Sequence, residues 1–218
     1  MDSESTLEHD LKEALNAAEQ DKNNVELIGK LVDCYLAFGD IKKAETVISK
    51  FRKDSPNVNL NVINQADVRV NKLIDLKDKI VHSLKNDCVT ECLLTIEEAL
   101  KMAPVCHNIN FYKAQCLVSL GKTEEIKEIT IDQKIIDALK VYYQGDIDSC
   151  LKLLLKMPDL RKDFKALDKF KEKVSKLNVE CNKGGCDHHL DITNLIYSFN
   201  FSFSIFLRKR DSLRNRDT

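Results

Sequence analysis

Apolar residues recur at three- and four-residue intervals along most of this chain, in blocks separated by polar turns. Leu7, Leu11, Ala14, Leu15 and Ala18 share one side of a short helix that Asn23-Asn24 breaks. Val25 to Phe38 and Ile41 to Arg52 form two further blocks, with Gly39 between them and KDSPN after them. Val58, Leu60, Val62 and Ile63 open a weaker stretch that can run as one longer helix into Leu76 and Leu84. Val89 to Met102 and His107 to Leu120 follow, divided at Pro104, where a helix cannot continue, and closed by Gly121. The segments Ile135 to Gln144 and Ile147 to Lys156 end at Met157-Pro158. Phe164, Leu167, Phe170, Val174 and Leu177 line one face of a last charged helix, suited to covering the apolar side of what precedes it. The period is helical throughout, and the expectation is an all-α chain.

The blocks fall into step. With repeats counted from Val25, Leu73, His107 and Ile131, position 15 holds Gly39, Asp87, Gly121 and Gly145, residues that tolerate left-handed backbone at a helix end. Position 32 holds Pro56 and Pro104. Position 8 holds Val32, Ile80, Ala114 and Ala138, and position 20 holds Ala44, Cys92, Ile126 and Cys150, the places where paired helices must approach closely. Small residues at a helix crossing, glycine between the helices and proline at the end are the grammar of a tetratricopeptide repeat (TPR), about 34 residues long. The starts are spaced 48, 34 and 24 residues apart, so the third repeat needs a shortened second helix or a turn over Glu124 to Ile131. The expected architecture is a TPR-type α-solenoid of about four helix pairs with flanking helices. Residues 1–23 form an N-terminal amphipathic helix, 24–178 the helical repeat domain, and 179–218 a divergent, irregular tail.

Composition sharpens this. Lys and Arg number 34 against 35 Asp and Glu, a net charge of -1, so no global field would gather phosphate and no nucleic-acid partner is expected. The first 25 residues are too acidic and interrupted for a signal peptide, which places the chain in the cytosol and its eight cysteines in the reduced state. Cys34 and Cys116 share position 10, and Cys92 and Cys150 share position 20, so all four are read as small packing residues. No phosphate loop, nucleophile elbow or HExxH is present, and no enzymatic activity and no cofactor are expected.

The segment PVCHNINFYKAQCLVSLGK, preceded by EEALKMA, resembles the central repeats of the family of DnaJ homologue subfamily C member 7 (tetratricopeptide repeat protein 2). Weaker similarity runs through VELIGKLVDCYLAFGDIKKAETVISKF and DALKVYYQGDIDSCLKLLLKM, so that it covers roughly Asn24 to Asn182. The resemblance implies a cytosolic co-chaperone that binds the heat-shock chaperones of the seventy and ninety kilodalton classes or their clients. Two family features are missing. No His-Pro-Asp tripeptide stands anywhere in the chain, so J-domain activity is not implied. The clamp that grips an acidic chaperone tail is not matched either. Its phases give Gly29, Asp33, Asp78, Asn108 and Tyr112, or, one repeat later, Lys77, Val81, Tyr112, Asp132 and Ile136.

The expected function is a protein–protein interaction module that binds chaperone or client segments in a groove formed by the first helices of the pairs. Positions 2, 5, 6 and 9 supply the groove candidates Lys30, Asp33, Lys77, Asp78, Asn108, Phe111, Tyr112 and Gln115. The alternatives are a generic helical-repeat scaffold and an adaptor weakly associated with membranes through its tail. That tail carries ITNLIYSFNFSFSIFL before Arg208, Lys209 and Arg210, short of the roughly 20 apolar residues a spanning helix needs, so membrane insertion is not expected. Just before it, Cys181, Cys186, His188 and His189 could each ligate zinc. Their spacing fits no familiar finger, and no metal is expected there.

Overall fold

The computed structural model describes residues 3–55, 60–86, 88–129, 131–157 and 164–183, and among these it contains helices and no strand. The α-helices are α1 (Ser3–Gln20), α2 (Val25–Ala37), α3 (Ile41–Asp54), α4 (Asn61–Lys85), α5 (Val89–Met102), α6 (His107–Ser119), α7 (Gln133–Tyr143), α8 (Ile147–Leu155) and α9 (Lys165–Lys183). A 3-10 helix, Thr123–Glu128, stands where the third repeat would need its second helix. Of the weaker stretch, Val58 lies outside the described residues, Leu60 precedes the helix, and Val62 and Ile63 belong to α4, which runs unbroken for 25 residues through the expected repeat start at Leu73. At the other end, α9 carries past residue 178 to Lys183.

Three of the turns are built alike. Gly39, Gly121 and Gly145 take φ of 72°, 71° and 86°, the left-handed region that side chains with a Cβ enter at a cost. Each glycine N–H donates to the carbonyl three residues back, at Leu36, Val118 and Tyr142, and the next residue's N–H reaches five back, to Tyr35, Leu117 and Val141. This Schellman pairing satisfies the helix-end carbonyls. What stands after the glycine then decides the next element. Asp40 and Asp146 accept the N–H of Lys43 and Ser149 and start the α-helices α3 and α8. At the third turn the residue is Lys122, which has no acceptor to offer, and only the 3-10 helix follows.

The described residues divide into two compact units, one of residues up to Lys79 with Thr95–His107, the other of Ile80–Leu94 with the described residues from Asn108 onward. In the first, α2 packs against both α1 and α3, and Ile28, Leu31, Val32, Leu36, Ala44, Ile48 and Phe51 are buried. The Pro104 turn docks on the Gly39 turn: the Val105 N–H donates to the Ala37 carbonyl, and a Cβ built on Gly39 would lie 2.3 Å from the Cys106 sulfur. The second unit is centred on Phe111, Leu117, Ile135, Leu139, Tyr142, Leu154, Phe164, Phe170 and Val174, with α8 packed against α7 and α9. The Phe111 ring meets Phe164 and Phe170 at centroid distances of 5.8 and 5.7 Å, and Phe170 meets Tyr142 at 5.0 Å. The five residues expected on the inner face of the last helix are all buried there.

Positions 8 and 20, counted from the same four starts, are buried. Val32, Ile80, Ala114, Ala138, Ala44, Cys92 and Cys150 have no exposed surface and Ile126 is 2% exposed. Pro56, Asp87 and Pro158 lie outside the described residues.

Candidate functional site

Two helices of the first unit enclose a groove. Asp10, Glu13, Ala14 and Ala17 follow one another at the spacing that shares a face of α1, and Leu27, Lys30, Asp33 and Cys34 do so on α2. Between them lies a cavity of about 440 Å³. The two alanines create the space, since a longer side chain at either place would fill it. The turn before α2 fixes the facing angle: Asn24 Oδ1 accepts the N–H groups of Glu26 and Leu27, and the Asn24 N–H donates to the Asp21 carbonyl.

The polar groups at the rim are unequal in charge. Three carboxylates, Asp10, Glu13 and Asp33, face one ammonium, Lys30. Asp33 is steadied by Arg69 of α4, whose Nη2 and Nε lie 2.8 and 2.9 Å from the same carboxylate oxygen. The Cys34 thiol is pushed up from its ordinary value, first by partial burial and then by the negative charges of Asp10 and Asp33. It is a thiol and not a thiolate at neutral pH, so it offers the groove a weakly polar wall rather than a nucleophile.

A second cavity, of about 220 Å³, opens on the same unit with walls from Leu15, Ala18, Ile28, Leu31, Tyr35, Val47 and Phe51. Its mouth carries Glu19, Lys22, Lys50 and Asp54, two charges of each sign.

Of the eight residues expected to line a groove, the structure brings Lys30 and Asp33 to the first cavity. Lys77 is half-buried and Asp78 exposed on α4, and neither lines that cavity. The four from α6 serve other ends. Phe111 is 1% exposed at the centre of the second unit's core and is not available to a ligand. Gln115 is buried as well. The Asn108 side chain accepts the Ala166 N–H at 2.8 Å and caps α9. Tyr112 is half-buried and packs against the core, its ring 6.1 Å from that of Phe111. The physical reason is that α6 is buried on almost every side, Ile109, Asn110, Phe111, Ala114, Cys116, Leu117 and Val118 included.

The groove residues that repeat phase did not supply are those of α1. Their signal was present in the sequence as small and acidic residues at Asp10, Glu13, Ala14 and Ala17, but phase counted from Val25 does not extend to α1.

The His9, Asp10 and Glu13 ligand atoms lie within 4.8 Å of one another, all exposed, as is ordinary on a solvated helix face. Cys186, His188 and His189 lie outside the described residues, and of Cys181 only its place in α9 is described. Cys92, Cys116 and Cys150 are buried as packing residues; Cys34, expected to be one too, is only partly buried because it forms a wall of the groove. No described helix is long and apolar enough to cross a membrane.

Among the described residues, these features define an all-helical protein assembled from helical hairpins, with a solvent-open groove between its first two helices. No protein-family model, no curated protein and no solved structure matches the chain.

Proposed function

We propose that this chain is a protein–protein interaction module of tetratricopeptide type, without catalytic activity, that receives an extended segment of its partner in the groove between α1 and α2. The observation that carries the reading is the lining itself. Lys30 and Asp33, which repeat phase assigns to a peptide-binding face, do border a cavity of about 440 Å³ there, opposite Asp10 and Glu13. An apolar floor with a few polar groups at its edge suits recognition of a segment by shape, with charges fixing its orientation.

The motif resemblance supports cytosolic chaperones or their clients as partners. The charge of the groove bears on how. A site built for an acidic tail needs several cationic or amide donors converging on a carboxylate. Here carboxylates outnumber lysine three to one, so binding proceeds through another part of the chaperone or through an unfolded client.

The test uses full-length purified protein with immobilised chaperones of the two classes and with a permanently unfolded polypeptide. Binding to at least one of these, kept when the acidic tails are deleted and weakened at least fivefold by Ala17→Arg, which fills the groove, is the expected result. Failure to bind any of them, or binding that Ala17→Arg leaves unchanged, overturns the proposal.

A further inference from the structure

Two thiols lie side by side in the second unit. The Cys116 thiol, on α6, donates to the Cys92 sulfur at 3.7 Å, and the Cys92 thiol, on α5, donates to the Ile80 carbonyl at 3.7 Å. Both cysteines have no exposed surface. Neither the groove nor the proposed binding mode uses them.

Their juxtaposition adds a chemical possibility to packing. Both side chains fill buried space as packing residues do, and they also bring two sulfurs into contact at 3.7 Å. A disulfide requires sulfurs about 2.05 Å apart, so oxidation has to draw the two sulfurs together from 3.7 Å. The Cys116 thiol stands well above its ordinary pKa, through its hydrogen bond to Cys92 first and burial second, so the resting pair is inert. Reaction therefore waits on a local opening that admits solvent.

We propose that Cys92 and Cys116 form a latent redox site, converted by a peroxide to a disulfide that stitches α5 to α6. The Cys92 sulfur, as thiolate in the opened state, attacks one peroxide oxygen. The O–O bond breaks, and the leaving hydroxide becomes water with the proton that Cys92 released to solvent on ionising. The Cys116 sulfur then displaces the hydroxyl of the Cys92 sulfenic acid, forming the S–S bond and releasing a second water. The two sulfurs lose two electrons in all, and the peroxide gains them. A low-molecular-weight thiol reverses the change.

The cross-link joins residues 24 positions apart across the Pro104 turn, so the oxidised form restrains the opening that admitted the oxidant. The structure thereby contains a device that responds to oxidant by tightening one helical pair.

The experiment treats full-length Cys88→Ala protein with hydrogen peroxide in native buffer, quenches with an alkylating agent and digests with trypsin. Removing the exposed Cys88 leaves Cys92 as the sole cysteine in the tryptic peptide 86–101, and Cys116 as the sole one in 114–122. The expected product is a disulfide-linked pair of these peptides that dithiothreitol separates and that Cys116→Ala does not form. Slower hydrogen exchange in α5 and α6 should accompany it. Recovery of both peptides as free, alkylated thiols while other cysteines are oxidised overturns the proposal. So does a linked pair found only in denaturant, or linked protein whose exchange matches the reduced form.

Discussion

Asn108 Oδ1 accepts the backbone N–H of Ala166 at 2.8 Å, so a side chain of α6 caps a helix that begins 57 positions further on, at Lys165. The first N–H groups of a helix have no partner within it; the Phe164 carbonyl accepts those of Leu167 and Asp168, but its side chain has no acceptor to offer, and Ala166 finds one on another element. The bond explains why Asn108 does not serve a groove.

Asn108→Ala should therefore cost stability of about 1 kcal/mol, the usual worth of a side-chain cap, and lower Tm by roughly 2–4 °C. Thermal unfolding measures this, and hydrogen exchange should quicken at the start of α9. Binding in the proposed α1/α2 groove should not change.

Gly39 and Gly121 have the same backbone angle and different surroundings. A Cβ on Gly121 meets nothing within 4 Å, whereas on Gly39 it would collide with Cys106 at 2.3 Å. Gly121→Ala is expected to cost about 1–2 kcal/mol from the left-handed conformation alone. Gly39→Ala carries the same cost plus roughly 1–3 kcal/mol of overpacking, read from urea denaturation of the two variants side by side. Equal losses would show that the Pro104 turn does not rest on Gly39.

Phe111→Ala empties the centre of an aromatic group formed with Phe164 and Phe170 and should cost about 3–5 kcal/mol. Lys30→Glu, at an exposed groove position, should change stability by less than about 0.5 kcal/mol while altering partner binding. The contrast, measured by denaturation and by binding, separates a core residue from a groove residue among positions that repeat phase treats alike.

Asp146 is held below the usual carboxylate range, chiefly by the Ser149 backbone N–H that it caps. A depressed folded-state pKa contributes stability that is present above the unfolded value of about 3.9 and is lost as pH falls through the folded value. Asp146→Asn keeps the cap without the titration. The stability of the wild type should then fall relative to Asp146→Asn as pH drops below about 4, with the two nearly parallel at neutral pH. Denaturation curves across pH 2.5–7 provide the check.

How much the sequence determined follows from which interactions are local. The helices α2, α3, α5 and α6 begin and end within two residues of the apolar blocks read from the chain, because caps, glycines and prolines act within one turn. Positions 8 and 20, counted from Val25, Leu73, His107 and Ile131, are all buried for a similar reason: apolar residues at helical spacing form the face that packs on a neighbouring element. The sequence by itself thus established that the described residues are helical and where their hairpins turn.

The tertiary structure decided which helical faces stay open. Repeat phase placed Asn108, Phe111 and Gln115 on a groove, but α9 returns to the second unit, caps itself on Asn108 and stacks Phe164 and Phe170 on Phe111. Such a contact joins residues more than 50 positions apart, and no local pattern encodes it. Conversely, α1 packs on α2 and completes a groove with Lys30 and Asp33 from residues outside any repeat. Backbone conformation is set by neighbours in the chain, whereas exposure is set by whichever distant helix arrives to cover a face.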